Sequence, residues 1–130
     1  MSNIKTPRNF IREELYKEIK TVVSNYFFTS FNEAQFPYAV VDIKELGNEV
    51  LTQYSLDISV YDKKEDTTEI ETICDDLKKL LHQKRAVKEN YAYVIWFSNC
   101  LTDKEEDRTI KKRILSFEIH LFNFEWREKN

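Results

Sequence analysis

From Pro7 onward, Ile11, Leu15, Ile19, Val22 and Tyr26 return every three or four residues, with Glu13, Glu14, Lys17, Glu18 and Lys20 between them. That spacing predicts an amphipathic helix with one apolar stripe. Thr6 and Pro7 suit an N-cap and a first helical position that lacks an amide hydrogen. The expected end lies between residues 26 and 30, where aromatic and β-branched residues meet Asn25, Ser30 and Asn32. The period then becomes two: Ala39, Val41 and Ile43 alternate with Val40, Asp42 and Lys44, and Tyr54, Leu56, Ile58 and Val60 alternate with Ser55, Asp57, Ser59 and Tyr61. Two strands joined near Gly47 and Asn48 follow from this pattern, the expected unit being an antiparallel hairpin.

A second helical stripe comprises Ile70, Ile73, Leu77, Leu80 and Leu81, with Cys74 beside it. Asp66 and Glu69 before it have the spacing of a capping box. Its acids, Glu69, Glu71, Asp75 and Asp76, precede its bases, Lys78, Lys79, Lys84 and Arg85, the order a helix dipole favours. Tyr91 to Leu101 reads as a strand with large apolar groups on both faces, so either it is central or its second face meets another subunit. After the polar stretch TDKEEDRT, residues from Ile110 to Trp126 read as a strand. There Leu115, Phe117, Ile119 and Leu121 hold one phase, while Phe122, Phe124 and Trp126 take the other, as a bulge, a bend or an intermolecular surface would produce.

The expected fold class is therefore α+β: a four-stranded antiparallel or mixed sheet with two helices packed on one face, in the order α-β-β-α-β-β. Its expected core is Ile11, Leu15, Ile19, Val41, Ile43, Leu56, Ile58, Ile70, Ile73, Leu77, Leu81, Ile95, Leu115, Phe117 and Ile119. With 130 residues and no linker, repeat or low-complexity tract, residues 1–130 are expected to form a single domain. An apolar fraction of 42% with 14% aromatic residues argues against a disordered chain. The net charge of -3 supplies no global field for nucleic acid or an anionic membrane. Two cysteines cannot form the framework of a small disulfide-rich domain, which favours a reducing compartment. MSNIKTPRNF lacks a long apolar stretch after a basic start, and no segment approaches a membrane span, so neither a cleaved signal nor a membrane partner is expected.

The residues offer little to a chemist. A single glycine removes glycine-rich phosphate cradles. His82, His120, Cys74 and Cys100 show no local metal-ligand spacing, and Cys100 has no histidine partner in any sequence pattern. His82 suits a helix end, and Cys74 reads as a small core residue. Asp42 and Asp57 are placed to approach each other across the hairpin, and Asp103, Glu105, Glu106 and Asp107 crowd one loop without the donor spacing of a calcium site. Arg108, Lys111, Lys112 and Arg113 beside aromatic residues could neutralise phosphates while rings stack on bases. The adjacent acids offer the same side chains an internal or intersubunit pairing instead. No catalytic residue, cofactor or metal is expected.

The order of residues as a whole resembles the tail completion or tail terminator proteins of long-tailed bacteriophages and related prophages. The likeness runs over about residues 8 to 125, through the amino-terminal helix, FPYAVVDIKEL, QYSLDISVYD leading into DTTEIETICDDLKKLL, and DRTIKKRILSFEIHLF. The join VYDKKEDTTEIETICDDL, where a strand passes through a polar link into a helix, carries it best. The resemblance implies a non-enzymatic virion protein that caps the head-proximal end of the tail tube as a ring, commonly a hexamer, and offers the surface for head-tail joining. Its implied partners are further copies of itself, the tail tube protein and the head connector protein, with DNA passing through the ring without sequence-specific binding. Its implied location is the virion tail, with host cytoplasm during assembly. On this resemblance the assembly interface is expected at Asp103, Glu105, Glu106, Asp107, Arg108, Lys112, Arg113, Phe122, Phe124 and Trp126. The alternatives are a small nucleic-acid-binding module using residues 108–113 and a metal-dependent hydrolase.

Overall fold

A computed structural model describes residues 6–27, 35–46, 51–88, 91–104 and 109–123. Helix α1 spans Pro7–Ile19, and the Thr6 side chain accepts a hydrogen bond from the Asn9 amide at its start. It ends earlier than its apolar spacing predicts. After Lys20 the chain turns, with Val22 and Val23 amides returning to the Ile19 carbonyl. Tyr26 and Phe27 then leave the helical path and form the short strand β1 (Tyr26–Phe27).

Strands β2 (Tyr38–Glu45) and β3 (Leu51–Asp62) pair antiparallel, with Val41 opposite Ile58 and Asp42 opposite Asp57. Helix α2 (Thr68–Leu81) follows, then β4 (Arg85–Val87), β5 (Tyr91–Lys104) and β6 (Lys111–Asn123). The spatial order is β1-β2-β3-β6-β5-β4. All pairings are antiparallel except β1 with β2, so the sheet is mixed; it curls into a half-barrel.

This corrects the expectation of four strands in the order α-β-β-α-β-β. The described residues make six strands in the order α-β-β-β-α-β-β-β. The four long strands occupy the middle, and the two added ones lie at opposite edges. Each edge strand is fixed by backbone bonds from its partner rather than by its own alternation. Two or three residues are too few to display a period of two.

Ala39, Val41, Ile43, Tyr54, Leu56, Ile58, Val60, Tyr91, Tyr93, Ile95, Leu115, Phe117, Ile119 and Leu121 are buried on one sheet face. Both helices close that face. Helix α2 contributes Ile70, Ile73, Cys74, Leu77 and Leu81, and α1 contributes Ile11, Leu15 and Ile19. Phe10 stacks on Tyr91 with ring centroids 4.7 Å apart, while Arg8 donates to the Ile43 carbonyl at 2.6 Å. These contacts stretch α1 from β2 toward β5. Among the described residues no helix is long and apolar enough to cross a membrane.

The start of α2 differs in detail from a capping box. The Asp66 carboxylate accepts from both the amide and the hydroxyl of Thr68, at 2.9 and 2.6 Å, whereas Glu69 pairs with Lys64. The acid therefore anchors the first turn without the reciprocal glutamate bond.

On β5 the register slips between Phe97 and Asn99, leaving Ser98 as an extra residue. Before this bulge the odd-numbered residues face the helices. Afterwards Cys100 stands opposite the buried Leu115, and Leu101 opposite Ile114 on the other face. One inserted residue thus exchanges the two faces along the remainder of the strand.

Candidate functional site

The sheet face away from the helices is where unsatisfied surface collects. Among the described residues six large apolar side chains are exposed, and four of them, Val87, Trp96, Leu101 and Phe122, lie on this face. They come from β4, β5 and β6 only. Toward β2 and β3 the same face becomes polar, with Asp42, Lys44, Gln53, Ser55, Asp57 and Ser59. Phe122 stands opposite Ala92, Trp96 opposite Glu118, and Leu101 opposite the half-buried Ile114. A division of this kind leaves an apolar half bordered by a hydrophilic one, the pattern of a surface that meets another molecule.

At one end of this face, four residues from four strands form a single cross-strand row. Tyr38 pairs with Tyr61, Tyr61 with Lys112, and Lys112 with Asp103. The tyrosine rings stack at 4.7 Å with an interplanar angle of 16°. Lys112 Nζ lies 5.3 Å from the Tyr61 ring centroid and 3.4 Å from Asp103 Oδ2. Phe36 continues the aromatic series beside Tyr38, and Lys63 Nζ lies 5.2 Å from the Phe36 centroid. The cations here are matched to ring faces and a carboxylate, which fixes the row's geometry.

The residues expected at an assembly interface divide among several places. Asp103, Lys112 and Phe122 share the helix-free face. Arg113 does not. It follows the phase of Leu115, projects toward the helices, and donates through Nε to Glu71 Oε1 at 2.6 Å. Glu105, Glu106, Asp107, Arg108, Phe124 and Trp126 lie outside the described residues. Sequence reasoning about the interface passed over Tyr38, Tyr61, Trp96 and Leu101. The outward phase of β3 marks Tyr61 and that of β5 marks Trp96, but Leu101 changes face only because of the bulge.

The basic segment provides few uncommitted charges. Lys112 and Arg113 are matched as described, and Lys111 also has an interaction partner. Asp42 and Asp57 do meet directly across β2 and β3, and Asp57 accepts from the Ser116 hydroxyl at 2.7 Å. Among the described residues no group of three or more His, Cys, Asp or Glu side chains is arranged to hold a metal ion. His82 lies at the end of α2, where its Nδ1 accepts from the Phe97 amide at 3.0 Å. His120 lies on the helix-free face beside Gln53 and Glu118.

Burial pushes the Cys74 thiol up to about 12, with Cys100 and then Glu71 adding to the shift. The Tyr54 hydroxyl is also raised, by burial first and then by Glu45, to which it donates at 3.2 Å. Both groups are neutral at physiological pH.

No family model matches the chain, and no curated protein does. Its fold is shared by a chain in the virion of a native gene transfer agent particle, with a TM-score of 0.66 and 11% sequence identity. The superposition covers 84% of this chain and 92% of that one. At so low an identity the likeness is one of fold, and it spans nearly the whole of both chains.

Proposed function

We propose that this protein is a structural component of a phage-like virion, and more specifically a tail terminator or completion protein. In this reading, copies close into a ring at the head-proximal end of the tail tube, end its growth and present the surface on which the head connector docks. The observation that carries the proposal is the gathering of Val87, Trp96, Leu101 and Phe122 on the helix-free sheet face. A subunit this small covers such a face by contact with another molecule. The fold shared with a gene transfer agent virion chain and the resemblance to tail terminators in the sequence supply the setting.

The mechanism is association without covalent chemistry. A heterologous contact repeated about a rotation axis covers the apolar half in every copy, and it closes instead of extending into a filament. Six copies is the number implied by family resemblance. The far side of a closed ring need not reproduce the polymerising surface of the tube, so addition of tube subunits stops there. Weak lateral contacts gain effective concentration once the first copies dock, so an isolated subunit that remains monomeric is compatible with this role.

Electron microscopy of tails assembled with and without the protein tests the proposal. The expected result is a ring of density at the end facing the head, with tubes lacking the ring or extending abnormally when the protein is omitted. Functional tails that contain no copy, or that carry it only at the distal tip, would overturn the reading.

A further inference from the structure

The bulge at Ser98 has a chemical effect as well as a geometric one. Without the extra residue, Cys100 would share the outward phase of Ala92, Val94 and Trp96. With it, Cys100 stands opposite Leu115 on the helix side of the sheet. Cys74 lies on the buried stripe of α2 and packs in the core that includes Leu115. Glu71, one turn before Cys74 on α2, bonds Arg113, two residues before Leu115 on β6, and this contact sets the Cys74 turn over the strand pair that carries Cys100. Both are free, Cys74 being buried and Cys100 exposed. The only two cysteines of the sequence thus flank the joint between α2 and β5, with Cys100 at its exposed edge.

We propose that Cys74 and Cys100 form a redox-sensitive pair, joined by a peroxide-class oxidant into a disulfide that ties α2 to the distal half of β5. The exposed Cys100 reacts first: its thiolate attacks a peroxide oxygen, the O–O bond breaks, and hydroxide leaves as Cys100 becomes a sulfenic acid. Cys74 sulfur then attacks Cys100 sulfur, forming the S–S bond and expelling hydroxide, which takes up the Cys74 proton as water. In sum, two thiols are oxidised by two electrons and one peroxide is reduced to two waters.

The surroundings make the reduced pair slow to react. Burial and then Glu71 raise the Cys100 thiol, Cys74 and then Arg113 oppose the shift, and Asp75 adds slightly to it. The same Glu71 and Arg113 face Cys74. Thiolate is scarce at neutral pH, so the link forms gradually and faster as pH rises. In the reduced protein the strand from Asn99 to Asp103 is held by β6 alone among the described strands. The disulfide adds a covalent tie to α2 and makes this end, with Leu101 and Asp103, more rigid. Resting on the virion reading above, such a pair stays open during assembly in a reducing cell and closes after release into an oxidising medium.

The test begins with the full chain purified under reductant, then freed of it and treated with hydrogen peroxide. Denatured samples are titrated for thiols and mapped by non-reducing peptide mass spectrometry. The expected result is two thiols before oxidation and none after, a mass loss of about 2 Da, and a Cys74–Cys100 cross-linked peptide within one chain. The melting temperature rises by roughly 5–10 °C and returns on reduction. The variant Cys100→Ser, altered at the exposed member, gains neither the link nor the temperature shift. Persistent thiols, a gain of about 32 Da from sulfinic acid, or dimers linked through Cys100 would each overturn the proposal. Purified tails quenched with an alkylating agent provide a separate readout. A link in the isolated chain together with tails that lack the protein removes the assembly reading alone, whereas tails that contain the protein with both thiols alkylated refute closure after release.

Discussion

Arg113 on β6 and Glu71 on α2 meet through a 2.6 Å bond from Nε to Oε1, and this ion pair sets the guanidinium on the helix side of the sheet. The neighbouring Lys112 projects to the opposite side, toward Tyr61 and Asp103. Two adjacent basic residues therefore do different work, one joining helix to sheet and the other ordering the outer face. Replacing Arg113 with Glu puts two carboxylates against each other beside α2 and removes a largely buried cation. A loss of about 1–3 kcal/mol is expected in denaturant unfolding, mostly restored by adding Glu71→Arg. Unchanged stability in the single variant would show that the pair adds nothing to the fold.

Leu77 is fully buried on α2 between Ile73 and Leu81. Leu77→Asp removes that packing and places a carboxylate in the core, at a cost on the order of 3–5 kcal/mol. Urea titration should shift the midpoint strongly downward or leave the variant unfolded at the outset.

Assembly and folding separate on the helix-free face. Leu101 and Phe122 are 56% and 40% exposed, so Leu101→Asp with Phe122→Asp should leave the circular dichroism spectrum close to that of the parent. On the proposed capping role, the same double variant should cap tail tubes at least tenfold more weakly, because charges replace the apolar centre of the proposed contact. Capping of parental strength by the folded variant would move the functional surface elsewhere. A charge reversal at Arg113 cannot make this distinction, since it disturbs the joint with α2 as well.

The Asp66 carboxylate is held below the usual range by its side-chain bond from Thr68, with the Thr68 amide adding to the effect. Its lowered folded pKa means that its contribution is fully present above the unfolded value of about 3.9 and is lost as pH falls through the folded value. Asp66→Ala should therefore be less stable than the parent at neutral pH, with the difference narrowing in acid. Paired melting curves from pH 7 down to pH 2 check the sign. A difference that widened in acid would contradict it.

The long elements were legible because each repeats its period several times. Leu77 and Leu81 complete a helical stripe begun at Ile70, and Leu56, Ile58 and Val60 are enough to orient β3. Two residues of the expected interface could also have been sorted by phase: Arg113 keeps step with Leu115 and Phe117, while Lys112 does not. The edges were not legible. Tyr26 extends the apolar spacing of α1 and reads as helix, yet the turn after Lys20 takes it into a strand whose partner is thirteen residues further on. Ala86 and Val87 carry no alternation of their own. The position of Leu101 depends on one unpaired serine, and a bulge is a matter of register between two strands, which a pattern read along one strand does not contain.

The brevity of β4 implies uneven protection across the molecule. Beyond Val94, no strand among the described residues pairs with β5 on the side away from β6. Ile95 continues that side through backbone bonds with Gln83 and Lys84, and Phe97 through its bond to His82. Backbone amides of β3 and β6, each flanked by strands on both sides, will exchange with solvent deuterium only when the whole sheet opens, whereas the outward amides from Ser98 to Lys104 will exchange through local fraying. The sheet is thus clamped from its middle strands outward. Slowed exchange confined to that stretch of β5 would reveal an arriving neighbour before any change in overall shape.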